Sequence, residues 1–280
     1  MLKINSILKN SNSNQSLSFT IKADKNKVLK IFRKDLDRSL QSINKQIEFT
    51  DKNLLSVAID NVTCSSKKIT IEMPFIEGIS GSDIFAYGEF SLLKKLKQDI
   101  VSFIENNIKK SKIEKLEFEF FKKKINSVYL NTDDQELRSL IHEVEFKLKK
   151  ENFDNLSFLY GNCHGDLTFS NMICNEDNKV ILFDFLSTFY ESPFQDLSKL
   201  RQELDYLWSL RFSNKGLITK AKIVNQFFYE GALVKIYKKY EKEINIFSLM
   251  TLIRIAPYIS DRLTKNWLIK SIIKELSRLE

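Results

Sequence analysis

Glycine, proline, histidine and cysteine are all scarce in this chain: its 280 residues include seven Gly, three Pro, two His and three Cys. The glycines never fall in G-x-G-x-x-G or G-x-x-x-x-G-K-[ST], so Rossmann and Walker-type phosphate sites are excluded. There is no G-x-S-x-G, and His142 and His164 alone leave little scope for a Ser-His-Asp hydrolase. Cys64, Cys163 and Cys174 show no C-x-x-C spacing, which disfavours a Cys/His zinc site and reads as buried thiols in a reducing cytoplasm. No apolar run reaches about 18 residues and no apolar leader opens the chain, so a cytoplasmic protein without a membrane span is expected. No Pro/Gly-rich linker, internal repeat or low-complexity tract is visible; the stretch near 74–81 is the only convincing boundary.

Hydrophobic residues make up 43% of the chain, enough for a substantial core, and 22 Phe point to aromatic packing. The net charge of +8 would suit anionic partners such as a nucleotide. Basic residues are interspersed with acidic ones and no basic helix stands out, so no nucleic-acid partner is expected.

The most informative stretch is Cys163-His164-Gly165-Asp166-Leu167-Thr168-Phe169-Ser170-Asn171, followed by the apolar run Val180-Ile181-Leu182-Phe183 that ends in Asp184. Residues 169–174 and 179–184 read as two strands joined by the four-residue loop Asn175-Glu176-Asp177-Asn178. Pairing Cys174 with Lys179 would make Asn171 and Asp184 diagonal neighbours, roughly 7–8 Å apart at the backbone. Two oxygen-bearing side chains so placed can converge on a hard cation such as Mg²⁺. Asp166, just before the first strand, can face a substrate hydroxyl. Asp and Asn are also common turn formers, but a charge closing an apolar strand costs energy unless paired or metal-bound.

His164-Gly165-Asp166 with Asn171, then Phe183-Asp184-Phe185, resembles the aminoglycoside phosphotransferase and choline kinase family of protein-kinase-like small-molecule phosphotransferases. Gly165 and Leu186 depart from the protein-kinase pattern, and the short interval from Asp184 to Asp196 leaves no room for a long activation loop. Ser192-Pro193-Phe194-Gln195-Asp196-Leu197 resembles the family's P-x-x-D-L segment. The resemblance implies an α+β, two-lobed protein-kinase-like fold: an N-terminal lobe with a small antiparallel sheet over residues 1–77, a hinge at about 72–78, and a mainly helical lobe over 78–280. It implies ATP, or GTP, with Mg²⁺, and a small-molecule hydroxyl acceptor. Asp166 would orient the acceptor, Asn171 and Asp184 would hold the metal, and His164, a catalytic candidate, would chiefly brace the loop. Asp196 reads both as helix N-cap and as anchor of the loop.

The front of the chain fits the same plan more loosely. Residues 2–8 and 16–23 read as strands around a glycine-free loop at 10–15, and 27–32 as a third strand. Lys30 resembles the phosphate-steadying lysine and Glu48, at the end of a helix over 35–49, its carboxylate partner; either is equally a solvated surface charge. Glu72, Met73 and Phe75 resemble the hinge that meets adenine. Further helices are expected over 83–110, from a capping box at Thr132 to about 150, and over 197–211, 219–242, 247–257 and 264–279. His142 reads as a packed histidine. Glu191, Asp205, Tyr206, Trp208, Tyr258 and Asp261 are candidates to line an acceptor pocket. The rival readings are a catalytically silent kinase-like binding module, a nucleic-acid-binding protein and a protein kinase.

Overall fold

The computed structural model describes residues 19–23, 27–213 and 215–279. The strand expected at 2–8 and the loop at 10–15 lie outside the described residues. The chain divides into two compact units: one comprises residues up to Gly78 together with Ile173–Ser187, the other Ile79–Met172 and Thr188 onward.

The first unit is built on an antiparallel sheet in the order β1 (Phe19–Ala23), β2 (Lys27–Phe32), β5 (Lys68–Pro74), β4 (Asn61–Ser65). Alternation along β5 sends Ile69, Ile71 and Met73 inward. Helix α1 (Leu36–Ile47) packs against the same core through Ile43, joined by Val57 and Ile181. On α1 Leu40 and Ile47 are exposed, while Ser42 and Gln46 turn inward. Their polar atoms are satisfied there, Gln46 donating to the Val57 carbonyl at 2.8 Å. Cys64, expected to be buried, is exposed on the edge strand β4.

The expected division at 77/78 kept residues 173–187 with the helical lobe. They return to the first unit because β10 (Val180–Leu182) pairs in parallel with β3 (Leu54–Ser56). β9 (Met172–Cys174) neighbours β10, and the turn between them is tighter than expected. Asn175 N–H donates to the Lys179 carbonyl at 3.1 Å and Asn178 takes φ 57°, so three residues rather than four close the hairpin. Gly78 is required by close approach, since a Cβ there would lie 2.3 Å from the Cys174 carbonyl oxygen.

The second unit holds β6 (Ile79–Ser80), α2 (Gly81–Tyr87), α3 (Phe90–Lys110), β7 (Lys112–Glu114), α4 (Phe118–Leu130), α5 (Gln135–Lys149), β8 (Phe158–Tyr160), α6 (Pro193–Leu204), α7 (Lys215–Phe228), α8 (Ala232–Lys239), α9 (Glu241–Ile253) and α10 (Arg262–Leu276). The helix expected over 83–110 is two helices, separated by extended Gly88 and Glu89; a Cβ on Gly88 would sit 2.4 Å from the Ile84 carbonyl oxygen, so the break is tolerated by glycine. The one expected over 219–242 breaks at Gly231, which takes φ 77°. Asp134, not Thr132, caps α5, accepting from Glu136 and Leu137 N–H. His142 is exposed, its ring edge-on to Tyr129 at 5.0 Å, and not packed in the core.

Helix α9 is buried from Glu243 to Ile253 and runs against α6. A helix buried on every side is the centre of its unit. Its Phe247 meets Phe121, Phe158 and Phe194 with ring centroids 5.8–6.2 Å apart. The α6–α9 seam also carries polar bonds: Ser198 and Gln195 reach Thr251 at 2.8 and 3.1 Å and Arg201 reaches Asn245 at 2.6 Å, while Arg201 also reaches Glu275 on α10 at 2.6 Å.

Candidate active site

In the second unit the loop between β8 and β9 carries His164, Asp166 and Asn171. Asn171 lies in a single 3₁₀ turn, Phe169–Asn171, and not in the expected strand. The turn is favoured by local bonds, Asn171 N–H to the Thr168 carbonyl at 3.0 Å and Thr168 to Ser170 at 2.9 Å, and by burial of Phe169 against Phe85 and Phe228.

Helix α6 fixes this loop. Its N-cap is Ser192, with Pro193 opening the first turn, so Asp196 is not the cap. Asp196, 1% exposed, accepts from His164 N–H at 2.7 Å and Gly165 N–H at 2.8 Å. Gly165 takes φ 89°, which glycine alone adopts freely. His164 is fully buried, and its Nδ1 accepts from Asp166 N–H at 3.2 Å.

Both Asp166 oxygens meet donors. Lys199 Nζ on α6 stands 3.0 Å from Oδ1, and Asn171 Nδ2 donates to Oδ2 at 3.0 Å and to the Asp166 carbonyl at 2.9 Å. Burial alone would raise the Asp166 carboxyl, but the Lys199 charge and hydrogen bond and the Asn171 amide outweigh it. The group is held below the ordinary carboxylate range. One turn beyond Lys199, Glu203 is 1% exposed, and burial pushes its carboxyl up to about 7 against hydrogen bonds from Ser209 and the Phe169 backbone.

In the first unit Asp184 follows β10 with φ 60°, a left-handed backbone that few non-glycine residues adopt. Its Oδ1 meets Lys30 Nζ at 2.7 Å. Lys30 stands on β2 and is 8% exposed, so it is no solvated surface lysine. Phe185 is buried edge-on to Phe49 at 5.0 Å. Helix α1 holds the next two residues: Lys45 donates to the Leu186 carbonyl at 3.0 Å, Arg38 to the Ser187 carbonyl at 3.0 and 2.9 Å, and Ser187 N–H donates to Ser42 Oγ at 2.8 Å.

Glu48, the expected partner of Lys30, is the exposed C-cap residue of α1; the carboxylate that reaches Lys30 is Asp184. Of the expected hinge residues, Glu72 pairs with Lys27, Met73 is buried in the sheet core and Phe75 is half-buried just past β5.

The acceptor candidates mostly support the helical unit. Glu191 accepts from Thr188 N–H and Cys163, and Asp205 binds Tyr229 and Arg278. Tyr206 donates to Glu275, and Asp261 caps α10. Trp208 packs on Trp267 and Arg211, while Tyr258 is exposed.

Sequence reasoning missed Lys199 and Glu203. The signal was present, since 196, 199 and 203 fall on one stripe of a helix. Among the described residues, no three His, Cys, Asp or Glu side chains form a metal-binding group, and no helix is long and apolar enough to cross a membrane.

Neither a family model nor a curated protein matches the sequence. Solved structures do match the fold. The choline kinase LicA from Streptococcus pneumoniae is 14% identical, with a TM-score of 0.55 and coverage of 98% of each chain. Aminoglycoside-3'-phosphotransferase of type VIII is 11% identical, with a TM-score of 0.51, covering 92% of this chain and 88% of that one. A thermostable mutant of aminoglycoside phosphotransferase APH(4)-Ia, a ternary complex with ADP and hygromycin B, is 9% identical, with a TM-score of 0.52 and 99% coverage of both. The chain therefore has the α+β, two-lobed protein-kinase-like fold that the sequence motifs imply, shared with small-molecule phosphotransferases.

Proposed function

We propose that the chain is an ATP- and Mg²⁺-dependent phosphotransferase that moves the γ-phosphoryl group to a hydroxyl of a small molecule such as a sugar, an amino sugar, a choline-like alcohol or an aminoglycoside. The observation that carries this reading is the Asp166 carboxylate, kept ionised and held at both oxygens on a loop pinned by Asp196. The fold neighbours lend general support: LicA has been seen with AMP, and the APH(4)-Ia mutant with ADP and hygromycin B.

In the proposed reaction the acceptor oxygen bonds to the γ-phosphorus as the bond from phosphorus to the β–γ bridging oxygen breaks, and ADP leaves with that electron pair. The acceptor proton faces Asp166 and passes on to solvent. A carboxylate is a weak base toward an alcohol, which suits a loose transition state that depends on positioning and charge neutralisation. Asp166 thus acts as an orienter, with His164 bracing its backbone.

The donor chemistry suits Mg²⁺, which takes one or two protein oxygens and completes its shell with phosphate and water. Asn171 spends its amide N–H groups on Asp166, so its carbonyl oxygen is the group to offer a cation, and Asp184 offers Oδ2. When bound, the ion neutralises the phosphate charge that grows on transfer. Lys30 is assigned to the nucleotide phosphates and the backbone around Glu72, Met73 and Phe75 to the base; GTP is the alternative donor. The expected Glu48 pairing is set aside in favour of Asp184.

The test is Mg²⁺-dependent ADP release from ATP across a panel of sugars, amino sugars, choline and aminoglycosides. Acceptor-stimulated release that disappears in Asp166→Ala names the substrate class. Nucleotide binding without release for any acceptor would reject the enzyme reading in favour of a silent kinase-like module.

A further inference from the structure

A carboxylate on a short side chain turns almost freely about its last bond, because that torsion has a broad, shallow profile. Orientation must therefore come from outside. For Asp166 it comes from two sides: Asn171 donates to Oδ2 from within the loop, and Lys199 reaches Oδ1 from α6. Asn171 lies five residues along the same loop and would move with it. Lys199 belongs to a helix bonded to α9 and α10 through Ser198 and Arg201. It is the donor that references the carboxylate to the frame of the unit.

Lys199 is not needed to hold the loop itself. Asp196 already binds two consecutive N–H groups of the loop, one turn earlier on the same stripe, and Glu203 engages the Phe169 backbone one turn later. Between these two buried anchors the middle residue of the stripe reaches past the backbone to the side chain. The Lys199 and Asp166 side chains are 13% and 30% exposed, so the pair is partly buried and the ammonium is held against the carboxylate rather than free in solvent. The contact is aimed at the loop's one carboxylate, which the two backbone anchors leave undirected.

We propose that Lys199 is a positioning residue: its ammonium fixes the direction of the Asp166 carboxylate, so that a free lone pair faces the acceptor hydroxyl. What the oriented oxygen does rests on the phosphotransferase reading; the clamp rests on geometry alone.

The experiment compares wild type, Lys199→Met and Lys199→Arg for acceptor-stimulated ADP release, with thermal unfolding measured alongside. Misdirecting a reacting group by about 1 Å costs about 10²-fold, so Lys199→Met lowers kcat by about that factor. The KM values for Mg·ATP and acceptor stay within about threefold, because the contact acts on the chemical step rather than on binding. Lys199→Arg, which keeps a cation at Oδ1, recovers most of the loss. A kcat within about threefold of wild type, or a KM rise that accounts for the whole defect, overturns the proposal. If Lys199→Met fails to fold, Lys199→Gln is judged by the same limits.

Absence of turnover in wild type with every acceptor is instead the failure of the phosphotransferase reading. The clamp is then read by nitrogen-15 spectroscopy of the lysine ammonium groups. A slowly exchanging Lys199 signal that vanishes in Asp166→Ala supports the clamp; no such signal, or one that survives in Asp166→Ala, overturns it.

Discussion

Two helices, one in each unit, grip an acid-bearing segment through a stripe of polar residues, and they do it differently. Helix α1 uses Arg38, Ser42 and Lys45 on the backbone of residues 186–187, just past Asp184. Helix α6 uses Asp196, Lys199 and Glu203 on the loop that carries Asp166, and Lys199 touches the carboxylate itself. The α6 anchors Asp196 and Glu203 are almost fully buried, whereas the α1 contacts are only part-buried. Asp184 keeps a left-handed backbone and meets Lys30, a residue of the neighbouring sheet. The lesson is that Asp166 is directed by side-chain bonds from its own loop and from α6, whereas Asp184 combines a left-handed backbone with one side-chain bond from Lys30.

The comparison breaks first if α6 loses its own support. Glu275 is fully buried and binds Arg201 and Tyr206, so Glu275→Ala leaves a buried guanidinium unpaired. The expected cost is about 3–5 kcal/mol in denaturant unfolding. Asp196→Ala comes next: it strands two buried N–H groups, for about 3 kcal/mol, and should lower turnover by more than its effect on nucleotide affinity. Ser42→Ala is the matching cut in α1 and removes one acceptor from Ser187 N–H, for about 1 kcal/mol. If Ser42→Ala costs as much as Asp196→Ala, the contrast between the two grips is wrong.

The last effect is a pH dependence. The folded-state carboxyl of Glu203 titrates at about 7, above its unfolded value near 4.3. Its raised value favours the folded state fully below the unfolded pKa, and that contribution is lost as pH rises toward 7. Glu203→Gln, which cannot ionise, should therefore flatten the fall in unfolding midpoint between about pH 4 and 7. An unchanged slope would show that Glu203 is not the group responsible.

Much of this was legible in the sequence, for reasons that differ from place to place. Strand β2 was legible as the run 27–32, and the fold class was implied by the resemblance carried by His164-Gly165-Asp166, Asn171 and Asp184. The boundary was legible near Gly78, but the return of residues 173–187 to the first unit was not. It depends on the parallel pairing of β10 with β3, a long-range choice that no local pattern announces. Asn171 looked like a strand residue because short apolar runs on either side suggested a long hairpin, yet side-chain bonds to Asp166 curl it into a turn. Glu48 looked like the partner of Lys30 by analogy of position, whereas α1 ends with that side chain in solvent. Lys199 was missed because the helix was expected only from residue 197, so Asp196 and Lys199 were not placed on one face; α9 buries most of that helix.

The most direct test of the account is calorimetric titration of ATP into wild type, Asp166→Ala and Asp184→Ala, with and without Mg²⁺. If Asp184 holds the metal and Asp166 directs the acceptor, Asp184→Ala loses the Mg²⁺-dependent part of the affinity and Asp166→Ala keeps it. Equal losses in both variants, or an affinity in Asp184→Ala that still responds fully to Mg²⁺, would contradict the division of roles between the two acids.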